Sequence, residues 1–336
     1  MKRLAPFALA AAVLALTPAP VLAWGGSGHR MIGEVAMRAL PTELPGFLRT
    51  RQAIVDVSEY SREPDRIKRA GRAFDVNRDA GHFLDLGDDG TVFGGPRLSA
   101  LPPTRPDYEK ALQAVGQSSW KAGYLPYSIL ESYQQLMQDF AYWRVLKYAE
   151  AHPAWSAHKA WYAADRRRRE LQILIALGEL SHFVGDGSQP LHVTVHFNGW
   201  GDYPNPNGYS QAKLHGPFEG DLVRESVKLA DVKAKLPPPR ALSGTVEQRI
   251  GDYLAATGAE VIPFYEMEKA GGMNPGDPRG PALASRQIAI GAGELRDMIV
   301  LAWQGSARQS VGYKPVPVAD VLAGKTEPYA ALNSID

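Results

Sequence analysis

Cysteine is absent from all 336 residues. No disulfide can brace the chain and no thiolate can bind a metal, so any zinc would need His, Asp, Glu or backbone ligands. Long apolar runs are also scarce: the most continuous, Phe7 to Leu16, covers ten residues, well short of the ~20 that span a bilayer. Strand-like alternation is rare and no period of 20 to 50 residues repeats, which argues against βαβ units and repeat arrays. Charge of one sign is missing too, with 37 Lys and Arg against 36 Asp and Glu. Such a balance offers no broad footprint for duplex DNA or anionic lipid, so attraction for phosphate would have to come from a local site.

The start of the chain differs from the rest. Lys2 and Arg3 precede the apolar run, and small residues in "VLA" precede Trp24. This is the pattern of a secretory signal peptide over residues 1–23, cut between Ala23 and Trp24. The corresponding expectation is a secreted or periplasmic protein. Without Lys2 and Arg3, 35 basic residues face 36 acidic ones, a formal charge of −1.

The remainder reads as all-α, a single compact multi-helix domain over residues 24–305 with a C-terminal tail, 306–336, that lacks periodicity and wraps the surface or stays mobile. The pattern predicts a first helix over 27–40, capped by Ser27 and closed by Pro41. A mixed polar stretch follows to about residue 80, then a Gly, Pro and Asp-rich loop over 85–106. Apolar residues at helical spacing predict two long helices, about 127–151 and 158–184. Further helices are expected near 217–232, 245–260 and 283–304. No obligate protein partner is evident, and a monomer is expected.

Eight histidines stand at positions 29, 82, 152, 158, 182, 192, 196 and 215. Within "SHFVGDGSQPLH" (181–192), His182 and Asp186 are four apart, so a helix projects both from one face. His215 and Glu219 in "KLHGPFEG" repeat the offset, and His192 lies between the pairs, just past Pro190. A lone pair of this kind is usually a surface ion pair, and an apolar surround suits a hydrogen-bonded core histidine. Two pairs within 40 residues, in a chain without cysteine, shift the balance towards a metal site.

These residues, together with "WGGSGH" at the expected mature N-terminus, resemble the superfamily that joins zinc-dependent bacterial phospholipases C to the single-strand-specific zinc nucleases of fungi and plants. The resemblance implies an all-α fold with three Zn2+ in a helical cleft. It implies that Trp24, through its α-amine and carbonyl, and His29 bind one ion, completed by Asp186. Asp65 in "EPDRIK", His82 in "GHFLD" and His182 would bind a second, bridged to the first by Asp186. His192, His215 and Glu219 would bind the third. A free α-amine binds zinc where an amide does not, so processing after Ala23 would complete the site.

Within the superfamily, the tight spacing from Trp24 to His29 resembles the nucleases, where Phe83 and Asp85 match residues that stack on a base and bind its edge. Lys68 falls where the nucleases carry a basic residue that holds phosphate. A core position for Phe83 and a solvated one for Lys68 are the plain alternatives. Glu219, by contrast, matches a ligand that is glutamate in the phospholipases C and aspartate in the fungal and plant nucleases, and the 99 residues between His82 and His182 exceed the fungal spacing. The implied activity is a phosphodiesterase acting on single-stranded nucleic acid by metal-activated water, with 5′-phosphorylated products; phospholipid head groups are the alternative substrate. Asp65, Lys68 and Asp186 would be the catalytic residues. "ADRRRRE" (164–170) reads as a solvated helix face rather than a nucleic-acid patch.

Overall fold

The computed structural model describes residues 24–333 except Arg69 and Leu242. The expected signal peptide and its cut at Ala23 lie outside the described residues, as do the last three residues. The fold is all-α. Its longer helices are α1 (Gly25–Arg38), α2 (Arg51–Tyr60), α3 (Arg105–Gln113), α4 (Leu125–Ala151), α5 (Lys159–Asp186), α6 (Val246–Gly258), α7 (Val261–Lys269) and α8 (Arg279–Ser306).

Helix α4 begins with Pro126 in its first turn, where the fixed φ suits helix and the missing N–H costs nothing. It runs without Gly or Pro until His152, which is extended ahead of Pro153 as a residue before proline prefers. A short turn over 153–158 then returns the chain as α5, so α4 and α5 form an antiparallel hairpin with extensive mutual contact. Helix α8 packs on α1, α4 and α5, and α1 packs on α2. Ile32, Phe140, Leu177, Val184, Ile288 and Leu295 are among the fully buried residues of the core between them. The polar front half of α5 stays near the surface, while residues 173–186 are mostly buried. Among the described residues no helix is long and apolar enough to cross a membrane.

Several local expectations need correction. Ser27 does not cap α1: Trp24 already accepts a hydrogen bond from the Gly28 N–H at 3.1 Å, so the ladder starts earlier and Ser27 sits inside the first turn. The helix expected over 217–232 is broken into a π-helical turn, Pro217–Leu222, and two short helices, Val223–Ser226 and Leu229–Ala234. Val227 and Lys228 between them are extended, and that break lets Val227 pack against the core. The stretch before residue 80 contains α2, whose cap is Thr50, accepting from the Ala53 N–H at 3.1 Å.

Beyond Ser306 the chain forms a small antiparallel pair, β1 (Ser310–Val311) with β2 (Val316–Pro317), and two short helices. Val311, Val318 and Val321 pack with Val145, Leu146, Trp155 and Tyr162 into a second apolar cluster. This segment covers the end of the α4/α5 hairpin remote from His182.

Candidate metal centre

Helix α5 supplies the middle of the site. His182 Nε2 and Asp186 Oδ2, one turn apart, lie 3.2 Å from each other, both fully buried. Two glycines on the same helix make room for their neighbours. A Cβ at Gly178 would fall 2.3 Å from Tyr60 Cβ, so the glycine lets α2 approach closely, and just past α2 the Ser61 carbonyl accepts from His182 Nδ1 at 2.8 Å. A Cβ at Gly185 would fall 2.9 Å from His29 Nδ1. The bare glycine instead leaves space for the His29 ring, stacked on His182 with centroids 4.1 Å apart.

His82 ends a short 3-10 turn, and the chain then runs beside residues 192–195, with Leu84 N–H donating to the His192 carbonyl and Val195 N–H to that of Leu86. This pairing sets His82 next to His192, whose Nδ1 donates to the His82 carbonyl at 2.6 Å. Glu219 sits on the π-helical turn, a wide turn that recurs at functional sites. Its Oε2 lies 2.8 Å from His215 Nε2 and 3.4 Å from His192 Nε2.

Three groups of ligand-type side chains result: His29, His182 and Asp186; Asp65, His82 and His182; His192, His215 and Glu219. Two of the groups share His182, and Asp186 faces a histidine of each. Its Oδ1 faces His29 Nε2 at 3.4 Å and His192 Nδ1 at 3.9 Å, whereas Oδ2 faces His82 Nδ1 at 3.0 Å and His182 Nε2 at 3.2 Å. Asp65 Oδ1 lies 3.9 Å from His182 Nε2 and 4.0 Å from His82 Nδ1, and pairs with Lys68 Nζ at 2.7 Å.

Hydrogen bonding decides which nitrogens are available. Carbonyl oxygens only accept, so Nδ1 of His182, His192 and His215 carries the proton that goes to Ser61, His82 and Phe197 respectively. In the neutral ring that leaves Nε2 as a bare lone pair turned towards the carboxylates, the arrangement by which outer hydrogen bonds orient metal-binding imidazoles. Six buried atoms of the cluster have no hydrogen-bond partner: His29 Nδ1 and Nε2, Asp65 Oδ1, Asp186 Oδ1, His215 Nε2 and Glu219 Oε1. The close ion-pair contacts at Asp65 and His215 lack hydrogen-bond alignment. A buried polar atom left unpaired costs about 1–3 kcal/mol. Several of them, all lone-pair donors or carboxylates, converging on three points is a set that divalent cations satisfy, and these groups could hold metal ions.

The electrostatics agree. Burial raises Asp186, but His182 and His192 outweigh it and hold the carboxyl well below its usual range. Burial likewise opposes ionisation of Glu219, and His215 and His192 overcome it. For Asp65, His182 and Lys68 outweigh burial in the same way. Against burial, Asp186 holds His182 and His192 above their ordinary value. His29 and His82 go the other way: burial dominates both, and His82 is pushed down to about 4. The centre thus combines ionised carboxylates with two imidazoles, His29 and His82, that burial keeps neutral, and two, His182 and His192, that Asp186 holds above their ordinary value.

The remaining expected residues are placed around it. Lys68 is at the centre, through Asp65. Trp24 is fully buried, its indole N–H donating to Ser188 Oγ at 2.8 Å, two residues past Asp186, while Gly25 lies against the Glu219 backbone. Phe83 is half-buried against the core. Asp85 is pushed up to about 7 by burial, opposed by Lys121. In the "RRRR" run, Arg166 pairs with Glu150 and Glu170, Arg168 with Asp165 and Arg169 with Asp139, which accounts for most of its charge.

Sequence reasoning missed His196. Its ring is buried and stacked on Trp200, Nδ1 faces the Trp200 carbonyl at 2.7 Å, and Nε2 lies 3.0 Å from Asp88. That clamp fixes the loop in which the Phe197 carbonyl and the Asn198 side chain hold His215. The carbonyls of Ser61, His82 and Phe197 were equally invisible, because a backbone acceptor has no residue signature. No family model and no curated protein matches the chain.

Proposed function

We propose that this protein is a secreted zinc-dependent phosphodiesterase, a nuclease that hydrolyses single-stranded DNA or RNA to 5′-phosphorylated products. One observation carries the reading: three groups of largely buried imidazoles and carboxylates lie together, two of them sharing His182, and Asp186 faces histidines of all three, with several buried ligand atoms left unpartnered. The resemblance of the same residues to the zinc nuclease and phospholipase C superfamily supports three Zn2+ and a phosphodiester substrate.

Bound divalent ions supply Lewis acidity and a water that ionises near neutral pH. The chain's own residues do the rest. His29, Asp65, His82, His182, Asp186, His192, His215 and Glu219 would hold the ions, with Trp24 joining through the α-amine freed by cleavage after Ala23. Asp65 would orient the attacking water, and Lys68, held 2.7 Å from it, would neutralise charge growing on the phosphoryl oxygens. In-line attack breaks the bond from phosphorus to O3′, so the phosphate stays on the 5′ end. No covalent enzyme intermediate is required.

Phospholipase C is the second reading, favoured by glutamate rather than aspartate at position 219. The discriminating experiment incubates the zinc-loaded protein in parallel with single-stranded DNA, RNA and phosphatidylcholine. Faster hydrolysis of the nucleic acids is expected; hydrolysis of lipid alone overturns the nuclease reading.

A further inference from the structure

The long segment between His82 and His182 builds one wall of a groove of about 760 Å3 beside the metal centre, bordered by His82 and by Pro64, the neighbour of Asp65. The groove holds an arginine on an aromatic ring: Arg105 Cζ lies 3.6 Å above the centroid of Tyr124. Tyr124 is fixed in turn. Its hydroxyl donates to the Asn77 carbonyl at 2.8 Å, and its ring packs so tightly on Gly81 that a Cβ there would be 3.0 Å away. The stack is therefore anchored one residue from His82 and one residue from Arg78, which also lines the groove.

Neither guanidinium is hydrogen-bonded among the described residues: Arg105 has a loose ion pair with Glu131 at 4.0 Å and acts electrostatically on Glu109, and no described carboxylate pairs with the side chain of Arg78. A guanidinium held by one face keeps its other face and its five N–H donors for a ligand, and suits a planar base or a bidentate phosphate. Glu131 and Glu179, farther along α4 and α5, are acceptors for the amino groups of a base edge. Tyr60 and Phe183 also line the groove, and aromatic side chains are the usual platforms for unpaired bases. Cavities of roughly 300–1,000 Å3 hold drug-sized ligands, so this one has room for a nucleotide.

We propose that the groove is a subsite for a nucleotide flanking the scissile phosphate of a single strand, with Arg105 on Tyr124 as its platform and Arg78 as its phosphate contact. The proposal rests on the phosphodiesterase reading above. It gives the long segment a role: the enzyme favours strands that reach past the cut.

The test measures binding and cleavage separately. Fluorescence anisotropy of a labelled phosphorothioate octathymidylate follows binding to the zinc-loaded protein, beside Arg105→Ala and Arg78→Ala variants whose melting temperature matches the parent. Each variant is expected to weaken binding about ten-fold, and Arg78→Ala, which removes the phosphate contact, also to lower the slope of log Kd against log salt by about one. The ratio of kcat/KM for octathymidylate over dithymidylate falls by about the same factor. Unchanged affinity and an unchanged ratio in both variants overturn the subsite alone. A parent that binds the strand through these arginines but cleaves nothing keeps the subsite and overturns the phosphodiesterase reading. A parent that does not bind the strand overturns the subsite.

Discussion

Two clusters of buried charge lie in this protein, and they solve the same problem differently. Between α6 and α8, Arg249 donates to Glu294 and Asp297, Arg296 donates to Asp297, and Arg240 reaches both acids. Each carboxylate there faces guanidinium groups, so the chain neutralises its own buried charge. Around Asp186 no such balance exists: among the described residues neither Asp186 nor Glu219 pairs with Lys or Arg, and their partners are imidazoles and, for Glu219, the Gln189 amide at 3.2 Å. Buried carboxylates paired with arginines brace a fold, whereas buried carboxylates paired with bare imidazole nitrogens ask for a cation from outside.

The largest effect that separates the clusters is expected at Asp186. Asp186→Asn should lower activity on the order of a thousand-fold, about 4 kcal/mol of barrier, and release two ions together in metal analysis. A full complement of metal in that variant breaks the bridging role. At the other cluster, Arg249→Met removes the guanidinium that joins Glu294 to Asp297, leaving each with fewer partners, and should cost about 3 kcal/mol of stability by calorimetry. The folded variant should keep its metal content; loss of metal there would erase the distinction between the clusters. Chelation sharpens it further. Ions bound only to the native state stabilise it by about 2.7 kcal/mol per site at a hundred-fold excess over Kd, so a chelator should lower the melting temperature as well as the activity.

Two smaller effects probe the edge of the metal centre. Residues added ahead of Trp24 should weaken zinc uptake by roughly ten-fold, the scale of an impaired ligand set; an unaffected fusion removes Trp24 from the site. Asp85→Asn is the mildest. The folded-state pKa of Asp85 is raised to about 7 from 3.8, so the native state holds a proton that the unfolded chain releases. The penalty for burying it is absent below about pH 4, grows as pH rises and is complete above about pH 7. The variant should therefore melt a few degrees above the parent at pH 8 and level with it at pH 4. Equal melting at both pH values contradicts the burial of that carboxyl.

Much of the centre was legible because helix periodicity is a local rule. His182 and Asp186 at an offset of four meet as the rule requires, and α4 and α5 follow from apolar spacing bounded by Pro126 and Pro153. His215 and Glu219 also meet, but on a π-helical turn in a broken helix that the same rule reads as continuous. What the periodicity could not reveal is non-local. The close approach at Gly178, the carbonyls that fix three imidazoles, and the His196 clamp depend on residues far apart in the chain. Helix α2 escaped because it is only ten residues long, too short for a few apolar positions to show a clear period against the polar stretch around it, although Ala53, Ile54 and Val57 do form its buried face.

The central claim is that the cluster around Asp186 holds cations while the one around Arg249 needs none. It is tested most directly by the metal content of the protein after exhaustive dialysis, measured beside Asp186→Asn and Arg249→Met. The account predicts about three divalent ions per chain in the parent and in Arg249→Met, as the three ligand groups require, and about one in Asp186→Asn. A parent that retains less than about one ion per chain, or an Asp186→Asn variant that retains as much as the parent, contradicts it.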